Sequence, residues 1–169
     1  MSRHNIPRRS LAALAAGVAV TILLGGCAST NSKKLELNQD AERLYRAYLE
    51  GNVNEARQNL QQKLDLFQSP KAEVLARDAR AHTLYVTYAR LYLLEKRAGR
   101  KDNAEAAFVK ARYWGLESYE LSEDGWKTRV PLGEFMSATG PDRIAEMIDK
   151  LDKTASSGRG PKYAQASGG

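Results

Sequence analysis

The spacing of apolar residues between Asn38 and Glu120 constrains this chain more than any other feature. In "DAERLYRAYLEG", Ala41, Leu44, Tyr45, Tyr48 and Leu49 fall on one stripe of an amphipathic α-helix. Gly51 predicts a left-handed stop. Asn52, three residues ahead of Glu55, predicts a capping box for a second helix, with Ala56, Leu60, Leu64 and Phe67 in register. Ser69-Pro70 reads as the N-cap and first residue of a third helix. From Lys71 to Arg97 the chain has no glycine or proline, which predicts a rod of ~40 Å at ~1.5 Å per residue. Its stripe holds Leu75, Ala79, Tyr85, Tyr88, Ala89 and Tyr92. Gly99 closes it, Asp102 and Glu105 predict another capping box, and a fourth helix carries Ala104, Phe108, Ala111 and Trp114. Helical period dominates throughout, so an all-α fold is expected.

Beyond Glu120 the period breaks. "LSEDGWKTRVPLGEFMSATGPDR" holds two prolines and three glycines and reads as a loop, with a short helical turn around Gly133–Ser137. Gly140-Pro141-Asp142 opens a last helix with Ile144, Met147, Ile148 and Leu151, which would cap the array. The closing "TASSGRGPKYAQASGG" has little to bury and is expected to be disordered. The expected organisation is therefore a leader over residues 1–26, a tether over 27–37, a helical domain over 38–153 and a tail over 154–169.

"YLEGNVNEARQNLQQKLDLFQSP" resembles the turn and second helix of a tetratricopeptide repeat in its glycine, its Asn-Glu-Ala sequence and its closing proline. Ala104, Phe108 and Ala111 resemble the small-large-small pattern of that family's second helix. Small residues let two helices approach, and an aromatic fills the gap to the next pair. The resemblance covers roughly residues 38–120 and implies a short array of antiparallel helical hairpins with a C-terminal capping helix. Two departures stand against the strict pattern. The turn glycines, Gly51 and Gly99, are spaced too widely for a repeat of about 34 residues, and Lys63 occupies a small-residue position. A plain four-helix bundle is the alternative.

The first thirty residues concern location. Arg3, Arg8 and Arg9 precede "LAALAAGVAVTILL", whose fourteen residues reach ~21 Å as a helix, short of a ~30 Å hydrocarbon core. That pattern reads as a secretory signal. Leu24-Gly25-Gly26-Cys27 resembles the lipobox of bacterial lipoproteins, an aliphatic residue, two small residues and a cysteine. The resemblance implies diacylglycerol on the Cys27 sulfur, cleavage before it, and firm anchoring by two or more acyl chains. With Ala28 following instead of aspartate, it also implies sorting to an outer membrane, with the domain facing the periplasm. Alternatives are an ordinary signal peptide with an incidental thiol, and a twin-arginine signal at Arg8-Arg9.

Little in the sequence points to catalysis. With His4 in the leader, His82 is the one histidine left to the domain, and no nucleophile accompanies it. With Cys27 acylated, no Cys/His metal cluster can be assembled, and no phosphate-binding glycine pattern or cofactor motif occurs. Glu117-Ser118 is similar to the Glu-Ser pair of lytic transglycosylases, but "YELSEDGWK" lacks the loop that shapes their sugar cleft, so these acids read as a solvated helix end. The formal charge of +6 resides mostly in the leader and in Arg159 and Lys162, which argues against nucleic-acid binding. Binding to a protein or peptide of the cell envelope is the remaining expectation. Tyr45, Tyr48, Tyr85, Tyr88 and Tyr92 are its candidate groove residues, and Trp126 is a candidate anchor. Core packing is the other role open to these tyrosines. An adaptor or scaffold is the first reading, and a structural link from outer membrane to peptidoglycan through the basic tail is the second.

Overall fold

The computed structural model of the chain describes residues 28–122 and 130–165, and every regular element among them is helical. In order these are α1 (Ala28–Glu50), α2 (Val53–Gln68), a 3-10 helix (Pro70–Val74), α3 (Arg77–Arg97), α4 (Lys101–Leu121), α5 (Leu132–Ala138), α6 (Pro141–Ala155) and α7 (Lys162–Gln165). The lipobox residues Leu24, Gly25, Gly26 and Cys27, and Trp126, lie outside the described residues.

The Asn52–Glu55 capping box forms as expected: Asn52 Oδ1 accepts from the Asn54 and Glu55 amides, and Glu55 Oε2 accepts from the Asn52 amide at 2.8 Å. Gly51 does not adopt the left-handed conformation expected of it. It is required by crowding, because a Cβ there would lie 2.9 Å from Glu55 Cβ and 3.0 Å from the Ala47 carbonyl oxygen. Gly99, at φ +71°, does take the left-handed turn that closes α3. The Asp102–Glu105 box is not made; α4 has Arg100 as its N-cap and no side-chain cap.

Three segments differ from the sequence reading. The single helix expected from Pro70 onward is divided. A 3-10 turn sets Ala72, fully buried, against Leu37, Leu64 and Phe67, and extended residues Leu75 and Ala76 reset the chain before α3. Arg80 Nε helps close α2 by donating to the Phe67 carbonyl at 2.8 Å. The expected tether is helical from Ala28, where a glycine- and proline-free stretch with good helix formers from Lys33 to Leu37 continues α1, and Leu37 is buried within it. The expected disordered tail instead turns back through Ser157, Gly158 and Gly160, all at positive φ, and docks α7 with Tyr163 2% exposed.

α3 lies at the centre. Leu84 packs with Leu37, Leu64 and Phe67 of α1 and α2, and Leu94 packs with Tyr48, Ala56 and Leu60. On its other sides Tyr85, Ala89, Tyr92 and Leu93 meet Ala104, Ala107 and Ala111 of α4, with Ile144 and Ile148 of α6. The small residues of α4 let the two long helices approach closely. At Gly115 an added Cβ would lie 3.1 Å from Tyr85 Cδ2. Each large apolar side chain buried in this way contributes roughly 1.5–3 kcal/mol.

Candidate functional site

α6 carries Ile144, Ile148 and Asp152 at four-residue intervals, so one face buries two apolar side chains and then a carboxylate. Asp152 is 1% exposed. Its Oδ1 accepts from Arg90 Nε of α3 at 2.8 Å and from the Tyr45 hydroxyl of α1 at 3.1 Å. Its Oδ2 accepts from the Tyr48 hydroxyl at 2.6 Å, and Tyr48 Oη stands 2.9 Å from Tyr163 Oη. Side chains of α1 and α3 thus converge on one carboxylate of α6, and α7 joins them through Tyr48. A buried charge is tolerated only when paired and hydrogen-bonded, and Asp152 and Arg90 meet both conditions.

Cations gather on the Tyr45 ring. The Arg90 guanidinium carbon lies 4.3 Å from its centroid and Lys63 Nζ 5.0 Å from it. Lys63, the residue that departed from the repeat pattern, reaches into the cluster from α2. Burial, with Arg90 nearby, lowers its pKa to about 8, against the opposing pull of Glu42 and Asp152. Burial pushes the Tyr45 hydroxyl up to about 12, and Asp152 adds to the effect while Arg90 opposes it. Tyr48 is held well above the usual tyrosine range, first by burial and then by Asp152 and Tyr163. These hydroxyls stay protonated and act as donors.

Beside the cluster a cleft of about 630 Å³ opens between α1 and the returning C-terminal segment. Tyr45 and Leu49 lie in it, Arg46, Arg159 and Lys162 bring positive charge, Glu42 and Glu50 bring negative charge, and Ser156 and Ser157 add hydroxyls. Such a wall suits a zwitterionic or mixed-charge segment better than a simple anion. A second buried acid, Glu95, is held by Arg57 Nε at 2.5 Å and Arg100 Nε at 2.6 Å, which ties α2 to the α3–α4 turn.

The five tyrosines do not line one wet groove. Tyr48, Tyr85 and Tyr92 are core residues; Tyr85 donates toward Met147 Sδ at 3.9 Å, and Tyr92 packs on Phe108 at 5.3 Å between centroids. Tyr88, half-buried, accepts from Gln68 Nε2 at 3.0 Å on another side of the molecule. Tyr45 alone of the five reaches the cleft. Their rings were more valuable to a small helical core than to a surface. The sequence reading missed Asp152, Arg90 and Tyr163. Two signals were present: an acid in phase with Ile144 and Ile148, and one aromatic in an otherwise small and polar tail.

Among the described residues no group of three His, Cys, Asp or Glu side chains is placed to hold a metal ion, and no helix is long and apolar enough to cross a membrane. Comparison with protein-family models, with curated proteins and with solved structures finds no match to this chain.

Proposed function

We propose that this protein is a lipid-anchored lipoprotein of the outer membrane, facing the periplasm, which serves as a protein-binding adaptor or assembly scaffold. In this reading Cys27 carries the acyl chains, and α1–α2 and α3–α4 form a short tetratricopeptide-like array that α6 covers. The Gly51-Asn52 turn and the Ala104, Phe108, Ala111 series support the array; the basic leader and Leu24-Gly25-Gly26-Cys27 support the anchor. What supports binding over catalysis is the mixed-charge cleft beside Tyr45, backed by the Asp152 network so that its walls are held before any partner arrives. An envelope peptide carrying both charge signs is the partner that these walls suit. Arg159 and Lys162, the basic residues on which a cell-wall linker would rely, line this cleft.

The test has two arms. A Cys27→Ser chain should lose incorporation of labelled palmitate and leave the membrane fraction; unchanged fractionation would overturn the anchor. A photo-reactive residue at Ser157 should capture a discrete envelope polypeptide, and Arg159→Glu should reduce that capture about tenfold. Capture that ignores Arg159→Glu would overturn the cleft as the binding surface.

A further inference from the structure

The outer face of α4 carries an exposed apolar stripe. Val109, Tyr113 and Leu116 recur at i, i+4, i+7 and are 59%, 55% and 38% exposed. Ala106 extends the stripe toward the start of the helix. At 100° per residue, Glu105 and Arg112 flank it on one side, and Lys110 and Glu117 flank it on the other. Among the described residues, Glu105, Lys110 and Glu117 make no ion pair. Arg112 turns to Met136 Sδ at 3.8 Å and to the Phe108 ring instead of to an acid. Several other surface arginines do pair with acids, as in Arg46–Glu42 at 2.8 Å and Arg97–Asp149 at 2.5 Å.

This pattern has the register of a two-stranded seam. Ala106 and Tyr113 take the a positions and Val109 and Leu116 the d positions; Glu105 and Arg112 fall at g, and Lys110 and Glu117 at e. When two such helices lie parallel, each g residue meets the e residue five positions on in the other strand. Glu105 then faces Lys110 of a second copy, and Arg112 faces its Glu117. By symmetry all eight charges are matched with opposite signs. An antiparallel arrangement centred on Tyr113 would set Arg112 near Arg112 of the second copy, which is repulsive.

We infer that the outer face of α4 is a self-association surface on which a second copy of this chain seats its own α4 in parallel. A stripe from Ala106 to Leu116 is only ~15 Å long. It covers less area than the roughly 1,200–2,000 Å² of a stable interface, so the dimer is weak in dilute solution. A two-fold axis along α4 places Ala28 of both copies at one height. Both chains could then be tethered to one membrane surface, where confinement raises their effective concentration. The membrane confinement rests on the Cys27 anchor proposed above; the helix pairing itself does not depend on the adaptor reading.

The test uses the full chain reconstituted in phospholipid vesicles, with a photo-reactive phenylalanine analogue placed at 106 or at 113. A covalent homodimer is expected from each site, with the 106 crosslink mapping to the region of Ala106 in the second copy. Arg112→Glu should cut the yield at least fivefold, and Arg112→Glu combined with Glu117→Arg should restore it to within twofold. Helix content by circular dichroism checks that each variant is folded. Overturning results are folded chains with no self-crosslink, a 106 crosslink mapping near Glu120, a yield indifferent to the charge reversals, or capture at 113 of a different polypeptide. Failure of the cleft crosslink at Ser157 alone would remove the adaptor reading and leave this one intact.

Discussion

Tyr48 on α1 donates a 2.6 Å hydrogen bond to Asp152 on α6, across 104 positions of sequence. Arg90 donates to the other oxygen of that carboxylate at 2.8 Å. α1, α3 and α6 are therefore joined at a single acidic group, and its removal tests the join directly. Asp152→Ala should cost about 3–5 kcal/mol in urea unfolding, because it leaves the Arg90 guanidinium buried without a counter-charge. Arg90→Met combined with Asp152→Leu should cost much less, since no unpaired charge remains.

Tyr163 offers a graded test of whether the C-terminal segment belongs to the core. Tyr163→Phe deletes the hydroxyl 2.9 Å from Tyr48 Oη and should cost about 1 kcal/mol. Tyr163→Ala also opens a cavity beside Tyr48, Leu60 and Leu94 and should cost about 3–5 kcal/mol. A chain ending at Ser157 should match or exceed that loss. Equal stability of the truncated and full chains in chemical denaturation would show that α7 is not part of the cooperative unit.

Lys63 gives a pH signature. Its pKa is lowered in the folded chain, to about 8 from 10.5, so the unfolded chain binds the extra proton between those values. Stability should then rise with pH from about 8 toward 10. Tyr45 works in the opposite sense. Raised to about 12, it holds its proton in the folded chain while the unfolded phenol ionises above about 10, so stability should fall there. Lys63→Met should raise stability at pH 7 by roughly 1–3 kcal/mol, and the gain should vanish by about pH 10. Urea midpoints measured across pH 7–11 for both chains would show the curves converging.

Two glycines separate backbone strain from crowding. Gly99→Ala meets no atom within 4 Å but must hold φ +71°, and should cost about 1 kcal/mol. Gly51→Ala has no such φ, yet its Cβ would press on Glu55 Cβ and the Ala47 carbonyl. It should lower the melting temperature through loss of the capping box, and the drop should be smaller in a Glu55→Ala background, where the capping carboxylate is already absent.

α1, α2 and α4 were legible because each buries one stripe, and a stripe leaves a period in the sequence. Asn52–Glu55 and Gly140-Pro141 were legible because capping is chemistry between near neighbours. α3 was less so: it buries Leu84, Tyr85, Arg90 and Leu94 toward different neighbours, and a helix covered on several sides has no single stripe to read. The division at Leu75 and Ala76 serves the burial of Ala72 against α1 and α2, a requirement that no local pattern expresses. Of the candidate site, the tyrosines were noticed, but the residue that organises two of them was not. Asp152 owes its role to Arg90, Tyr45 and Tyr48, and a pairing across 62 to 107 positions leaves no trace in spacing.

The placement of Asp152 on α6, 62 positions after the Arg90 it pairs with, has a consequence for how the molecule is made. A nascent polypeptide that has emerged only as far as Lys150 already contains α1 through α5, with Arg90 aimed at a position still empty of charge. Until Asp152 is synthesised, that guanidinium favours water over a closed interior. Synthesis of α6 and closure of the structure are thereby coupled, and a chain cut short before this acid should be discarded by proteolysis instead of accumulating in a near-native form.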